Sequence, residues 1–449
     1  MNYQETLDYL YGFINYGLTR QDRYAPEQMP LERPQAMLAR LGNPQDAYPI
    51  LHLTGTKGKG SVGAISAAIL QSAGYRVALF SSPHLQDFRE RFRINGQLIS
   101  EDEVVALVDQ IRPVIEQTPG LIWFEIITAM AFAWFRQQKP DIAIIEVGLG
   151  GRLDPTNVVS PLASVITSLS FDHTTLLGDT LTDIAREKSG IIKPGIPVIS
   201  APQQSEAQAV IEATAHERNA PLTLVGREWQ FESLGGDLAV ERWRAAPQGQ
   251  KLQSYETVLL GRHQAINATV ALATAHELTR QGFDIPQIAI VNGLMQVNWP
   301  GRLEIVRKNP VVVLDAAHNG ASARCLAETL SERFAARPLV TVFAAKSDKD
   351  VQGMLRALLP ITDHLVITQA VDSRAESPEN IAGLARSLGY KRPIEIIPDV
   401  AHALSDAERF AGEAGMICVT GSMYLVGEAR DVYNLTVGQV AYLQPDASH

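Results

Sequence analysis

The run Thr54-Gly55-Thr56-Lys57-Gly58-Lys59-Gly60-Ser61 constrains this chain more than any other feature. The apolar stretch Ile50–Thr54 before it reads as a strand, and Ser61–Ala73 after it reads as a helix. A glycine-rich turn in that setting lets backbone N–H groups fold around phosphate oxygens at the positive pole of the helix. Lys59 is placed to reach β- and γ-phosphates, with the Ser61 hydroxyl at the same pole. The run departs from the ordinary G-x-x-x-x-G-K-[ST] loop. Leu53 stands where its first glycine belongs, and Gly60 intrudes between the lysine and the hydroxyl residue. The strand, lysine and helix together predict a nucleotide site.

The loop sits in a longer alternation. Arg76–Phe80, Asp141–Val147, Ala163–Leu169 and Pro197–Ser200 read as strands, with a helix at Leu181–Ser189. Asp141–Val147 is continuously apolar after its first residue and up to Glu146, as parallel strands covered on both faces are. This pattern predicts right-handed βαβ units and an α/β fold with a doubly wound, mostly parallel sheet. Gly226–Leu260 is polar and weakly alternating, which suits a small antiparallel patch, and Arg262–Gln281 reads as a long Ala-rich helix. After Asn298-Trp299-Pro300-Gly301 the alternation restarts, with strands expected at Val311–Leu314, Leu339–Phe343, His364–Thr368, Ile394–Ile397 and Met416–Val419. A chain of 449 residues exceeds the size of a single core. Two domains are expected, 1–299 and 300–449, dividing at the Pro300-Gly301 turn.

A net charge of -10 and a pI near 5.5 give no basic footprint for nucleic acid. The opening residues lack a basic n-region followed by an apolar h-region, so no secretory signal is expected. The most apolar stretch, Leu121–Phe135, contains Glu125 and is shorter than the ~20 residues a bilayer requires. It reads as a buried helix. Cys325 and Cys418 fit no metal spacing and read as reduced thiols of a cytoplasmic protein. The tail after Gln444 reads as frayed.

Other motifs stand at predicted strand ends. Glu146, in Glu146-Val147-Gly148-Leu149-Gly150-Gly151-Arg152, ends a buried strand where open α/β sheets bind ligands. An acid there either caps the strand or, beside a phosphate loop, reaches a magnesium ion. Ser170-Phe171-Asp172-His173-Thr174 follows another strand; His173 alone suits a structural role, and beside Glu146 it suits a second metal ligand. Glu187-Lys188-Ser189-Gly190 reads from its residues as a helix end, with Lys188 a charge suiting the dipole. Trp299-Pro300-Gly301-Arg302, Asp315-Ala316-Ala317-His318-Asn319 and Thr420-Gly421-Ser422 give the second half a polar rim that could face the nucleotide.

Taken in order, Gly55–Ser61, Ser81-Ser82-Pro83-His84-Leu85, Glu146–Asn157, Glu187–Ile191 and Asp315–Asn319 resemble the folylpolyglutamate synthase/dihydrofolate synthase family of Mur-ligase-like amide ligases. The resemblance runs from Leu31 to Ser422. It implies a P-loop ATPase domain and a smaller Rossmann-like C-terminal domain. It also implies ATP-dependent addition of L-glutamate to the γ-carboxylate of a folate, through an acyl phosphate. ATP would be held by Thr56, Lys57, Gly58, Lys59, Gly60, Ser61, Asn267, Arg302 and Asp315. Magnesium would be held by Ser82, Glu146 and His173, with Lys59, Lys188 and His173 catalytic and Lys188 matching a lysine that the family carries N-carboxylated. Phe124, Glu125, Leu153 and Asp154 match the pterin side, and His318 and Ser422 the region receiving glutamate. The implied partners are folate, L-glutamate and ATP, with no nucleic acid or membrane, and the implied state is a monomer.

One segment departs from the family pattern. Relatives that also make dihydrofolate often carry Asp-Leu-Gly-Leu-Glu-Arg; here the residues are Gln28-Met29-Pro30-Leu31-Glu32-Arg33, so the acid is missing. Folylpolyglutamate synthesis is therefore expected to exceed dihydrofolate synthesis. Two other classes compete with this reading: a Mur-type ligase acting on a cell-wall nucleotide, which the Ser-Ser-Pro-His-Leu segment opposes, and a P-loop nucleotide switch without ligase chemistry.

Overall fold

The structure, a computed structural model, describes residues 1–14, 31–372 and 374–441; the tail after Gln444 lies outside them. Among the described residues the strands form three sheets. The first contains β1 (Ile50–Thr54), β2 (Val77–Phe80), β3 (Phe92–Ile94), β4 (Gln97–Leu98), β5 (Ile142–Glu146), β6 (Ala163–Ile166), β7 (Val198–Ser200) and β8 (Leu222–Leu224). Their order is β4-β3-β2-β5-β1-β6-β7-β8, parallel except at β2–β3 and β3–β4.

Period-two alternation divides the central strands between two cores. Leu51, Leu53, Leu79, Ile144 and Val165 face one core, with helices Lys59–Ser72 and Arg262–Arg280. Ile50, Phe80, Ala143 and Ile145 face the other, with helices Glu101–Glu116 and Trp123–Gln138. Burial on both faces is why these strands carry apolar residues at successive positions. The Leu121–Phe135 stretch supplies the second of those helices, buried without interruption from Glu125 to Phe135. The phosphate-loop helix begins at Lys59, two residues before the expected start, because Gly58 takes a φ of 88° and serves as its N-cap. The β6 strand stops at Ile166, short of the expected Leu169.

The 226–260 patch is a three-stranded antiparallel sheet, β9 (Trp229–Gly236), β10 (Glu241–Pro247) and β11 (Gln253–Thr257). Trp243 stacks on Tyr255 at 5.7 Å and joins the first core. The third sheet comprises β12 (Glu304–Lys308), β13 (Val311–Leu314), β14 (Leu339–Phe343), β15 (His364–Ile367), β16 (Ile394–Ile396) and β17 (Met416–Thr420). Its order is β12-β13-β17-β14-β15-β16, parallel except at β12–β13, with a core on each face. The α/β class, with a mostly parallel first sheet and a separate C-terminal sheet, is as the sequence predicts. Among the described residues no helix is long and apolar enough to cross a membrane. Both cysteines are free thiols.

The last described residues return to the junction between the sheets. Asn298 Nδ2 donates to the Gly438 carbonyl at 2.8 Å, and Val440 N–H donates to Asn298 Oδ1 at 2.7 Å. Arg430 is fully buried; it pairs with Glu304 and donates to the carbonyls of Thr436 (2.9 Å) and Gln439 (2.7 Å) and to Gln86 Oε1 (2.7 Å).

Candidate active site

β2, β5, β1 and β6 are consecutive and parallel, so their carboxyl ends share one edge. From them emerge Ser82, Glu146, the Gly55–Ser61 loop and the segment to His173. Open α/β sheets bind ligands at such an edge. It opens on a cavity of about 380 Å³ lined by Thr56–Ser61, Ser82, Glu146, His173, Lys188 and Asn267. Arg302, Asp315 and His318, which come from beyond the Pro300-Gly301 turn, line the same cavity.

The loop is tied down through its backbone and tolerates no side chain at three points, one of them Gly55, where a Cβ would collide with Thr167. Thr56 and Lys57 N–H both donate to the Ser168 carbonyl at 3.1 Å, which ties the loop to the exit of β6. A Cβ on Gly58 would collide with the Asn267 amide, and one on Gly60 would come 2.7 Å from the Trp299 ring. The first-turn N–H groups of the Lys59 helix have no intrahelical acceptors, so they remain for an anion.

The charges around the loop are strongly perturbed. Lys59 Nζ and Lys188 Nζ both donate to the Gly55 carbonyl, at 3.0 and 2.9 Å. Burial, and then the nearby Lys59 charge, push the Lys188 ammonium down to about 7. Glu146 lies 4.0 Å from Lys59 Nζ and accepts from Ser82 N–H at 3.3 Å; its burial raises the carboxyl. Lys57 is pushed down to about 8 by burial, and its Nζ has no hydrogen-bond partner among the described residues. Asp315 accepts from the N–H groups of Leu303 and Ala317 at 2.9 Å, and burial raises its carboxyl against the pull of Arg302. His173 and His318 are each lowered to about 4, burial being the main cause, so both rings are neutral near pH 7.

Five predicted residues lie outside the cavity lining, though their neighbours Gly148, Leu149 and Met423 belong to it. Phe124 packs on Gly148 so closely that a Cβ there would collide with its ring. Glu125 is paired with Arg33 at 2.8 Å and accepts from Ile122 N–H at 2.9 Å. Asp154 accepts from the N–H groups of Gly148 (3.1 Å), Leu149 (2.9 Å) and Thr156 (3.0 Å), so its carboxylate braces the Gly148–Gly151 turn. Leu153 is buried, and Ser422 caps the helix Met423–Val432, its Oγ accepting from Tyr424 N–H at 3.2 Å. Gln28, Met29 and Pro30 lie outside the described residues.

The structure adds His263, Gln264 and Asp172 to the lining. His263 and Asn267 are one turn apart at the start of the Ala-rich helix, and two polar residues spaced i, i+4 at a helix start were the available signal. For a cation, Glu146 and Ser82 offer the oxygen donors magnesium prefers, beside a loop suited to phosphate. No group of three or more His, Cys, Asp or Glu side chains forms a metal-type cluster among the described residues. A magnesium ion here would draw its remaining ligands from phosphate and water. His173 Nε2 lies 3.2 Å from Lys349 Nζ.

The family model "Mur ligase middle domain" matches residues 53–275, and "Mur ligase, glutamate ligase domain" matches 301–423. The dihydrofolate synthase/folylpolyglutamate synthase of Bacillus subtilis (strain 168) is 36% identical over 444 residues, covering 95% of this chain and 98% of that protein. The folylpolyglutamate synthase of Lacticaseibacillus casei is 31% identical over 444 residues, covering 96% and 98%. A crystal structure of Mycobacterium tuberculosis folylpolyglutamate synthase complexed with ADP and AMPPCP superposes with a TM-score of 0.84 at 34% identity, covering 91% of this chain and 96% of that one.

Proposed function

This chain belongs to the folylpolyglutamate synthase/dihydrofolate synthase family of Mur-type ligases, and from that premise we propose that it joins L-glutamate to the γ-carboxylate of a tetrahydrofolate at the expense of ATP. It is an ATP-dependent ligase. The observation that carries the reading is the single cavity holding the phosphate loop, Glu146 and Lys188 together with Arg302, Asp315 and His318. We take residues 1–299 as the ATP-binding domain and 300–449 as the Rossmann-like domain.

In this reading the γ-carboxylate attacks the γ-phosphorus of ATP and ADP leaves, giving an acyl phosphate. The glutamate α-amine then attacks the acyl carbon, phosphate departs, and the amide remains. Phosphoryl transfer asks for positioning and charge neutralisation more than covalent help. Lys59 and the first-turn N–H groups would hold the β- and γ-phosphates, Arg302 and Asn267 would steady the nucleotide, and Asp315 would accept from its hydroxyls. A magnesium ion held by Glu146, Ser82 and His173 would neutralise phosphate charge. His318 and Ser422 would receive glutamate; Phe124, Glu125, Leu153 and Asp154 would shape the pterin side, Glu125 and Asp154 by bracing backbone and the Arg33 segment. Lys188 would act as a carbamate, and its lowered basicity supports this, because only a neutral amine adds carbon dioxide. The described lining of the cavity comes from one chain, which supports a monomer, and small-molecule substrates support a cytoplasmic location.

Gln28 lacks the charge of the acid that relatives offer to the pterin. Losing one such contact is worth ~1–3 kcal/mol, so dihydropteroate should be the poorer acceptor by one or two orders of magnitude in kcat/KM. The test is glutamate-dependent ADP formation with tetrahydrofolate, dihydropteroate and a cell-wall nucleotide precursor in turn. Turnover with only the cell-wall precursor would overturn the folate reading, and equal kcat/KM for the two pteridines would overturn the preference.

A further inference from the structure

One charged cluster joins the halves at the mouth of the cavity, and two of its members, Asp172 and Lys349, have no role in the scheme above; Lys349 Nζ also lies 3.2 Å from Nε2 of His173, which the scheme does use. The Asp172 carboxylate accepts from Lys349 Nζ at 2.9 Å and from Asn319 Nδ2 at 3.1 Å, and His318 Nε2 stands 3.8 Å away. Asp172 follows β6 of the first sheet, whereas Lys349 follows β14 and Asn319 follows β13 of the third. The Lys349 loop is registered on the helix that Asn319 caps. Asp350 accepts from Gly353 N–H at 2.8 Å, and a Cβ on Gly320 would lie 2.8 Å from Asp350 Oδ2.

We propose that Asp172 and Lys349 form a closure latch, two positioning residues that keep the halves together while the acyl phosphate waits for its amine. This rests on the ligation reading above. The Asp172 and Lys349 side chains are only 9% and 11% exposed, so their charge-assisted bond is of the strong kind. By contrast, the Arg262–Glu332 pair, which also crosses between the halves, is 68% and 41% exposed and contributes little. The buried Arg333–Glu241 pair crosses too, but neither residue lines the cavity. Asp172 and His318 do, so breaking this latch opens the cavity wall itself. An opened cavity admits water. Water attack on the acyl phosphate returns the free carboxylate, inorganic phosphate and a proton, so ATP is consumed with no amide formed.

The test is the ratio of ADP produced to glutamate incorporated, measured on the full chain with tetrahydrofolate, ATP and glutamate. Losing a charge-assisted bond of this kind shifts an open–closed equilibrium roughly tenfold, so Asp172→Asn and Lys349→Met should raise the ratio severalfold while KM for ATP stays within about threefold. Lys349→Arg keeps the charge and should restore coupling. The two latch variants are assayed in parallel, so a folding failure in one leaves the other to decide. Wild-type enzyme that incorporates no glutamate with tetrahydrofolate would overturn the ligation reading. Coupled wild-type enzyme alongside a Lys349→Met variant that still makes one ADP per glutamate, at whatever rate, would overturn the latch.

Discussion

The proposed carboxylation of Lys188 makes a demand on pH that can be worked from the structure. An ordinary lysine has a pKa of 10.5, and burial beside Lys59 brings this one to about 7. At pH 7 about half of the side chain is then the neutral amine, against roughly one part in three thousand for an exposed lysine. That gain of three orders of magnitude in nucleophile is what would let dissolved carbon dioxide form the proposed carbamate near neutrality. Asp172 and Asp154 pull the other way, but burial and Lys59 outweigh them. An unmodified ammonium in this position would cost roughly 5 kcal/mol below pH 7. The folded pKa lies below the unfolded one, so the unfolded chain binds more protons between pH 7 and 10.5. Enzyme stripped of carbon dioxide should therefore gain stability as pH rises across that window. The expected outcome is a labelled carbamate resonance when native enzyme is equilibrated with ¹³C-bicarbonate at about pH 8 and observed by NMR, absent in Lys188→Met. Activity should fall at least tenfold in carbon-dioxide-free buffer at about pH 6 and return on adding bicarbonate at about pH 8. Full activity at about pH 8 without carbon dioxide, with no label on Lys188, would refute the reasoning.

Lys59→Ala should lower ligation by roughly two to three orders of magnitude, because in the proposed mechanism it removes the phosphate-facing cation; steady-state ADP release checks the loss, with calorimetry showing that the variant is folded. Gly58→Ala places a side chain at a φ of 88° against Asn267, a backbone strain of roughly 1–2 kcal/mol, and should raise KM for ATP. Arg33→Met strands a buried carboxylate, since Glu125 keeps only the Ile122 N–H, and should cost roughly 3–5 kcal/mol at neutral pH by denaturant unfolding. Burial already raises Glu125, and without Arg33 it rises further, so that loss should shrink as the solution is acidified and the carboxyl takes up a proton.

Much of the frame was legible because local chemistry dictated it. The continuous apolar strands, the Gly loop and the restart after Pro300-Gly301 each follow from burial or from turn geometry. The β3–β4 hairpin was not anticipated, although its Asn95-Gly96 turn, with φ of 48° and 76°, is a standard hairpin signal; the strands are too short to show alternation. The Glu101–Glu116 helix also went unseen, despite a Ser100–Glu103 capping box. Along the site, positions at strand ends were readable, but pairings were not. Glu125 meets Arg33 from 92 residues away, and Asp172 meets Lys349 from 177 away. Nothing local to either residue announces such a partner. Asp154 shows the other gap: a motif acid reads as a ligand contact, and only the fold shows its oxygens committed to three backbone N–H groups.

The segment that returns to Asn298 bears on how this protein should be handled and how its relatives drift. Its ties run mostly through main-chain atoms: the carbonyls of Thr436, Gln439 and Gly438 and the N–H groups of Val440 and Ala441. Main-chain ties constrain the path of a chain while leaving its side chains free to vary, so such a stretch looks dispensable in any comparison of sequences. Trimming it at Tyr433 to shorten an expression clone would remove two of the acceptors of a fully buried guanidinium, that of Arg430.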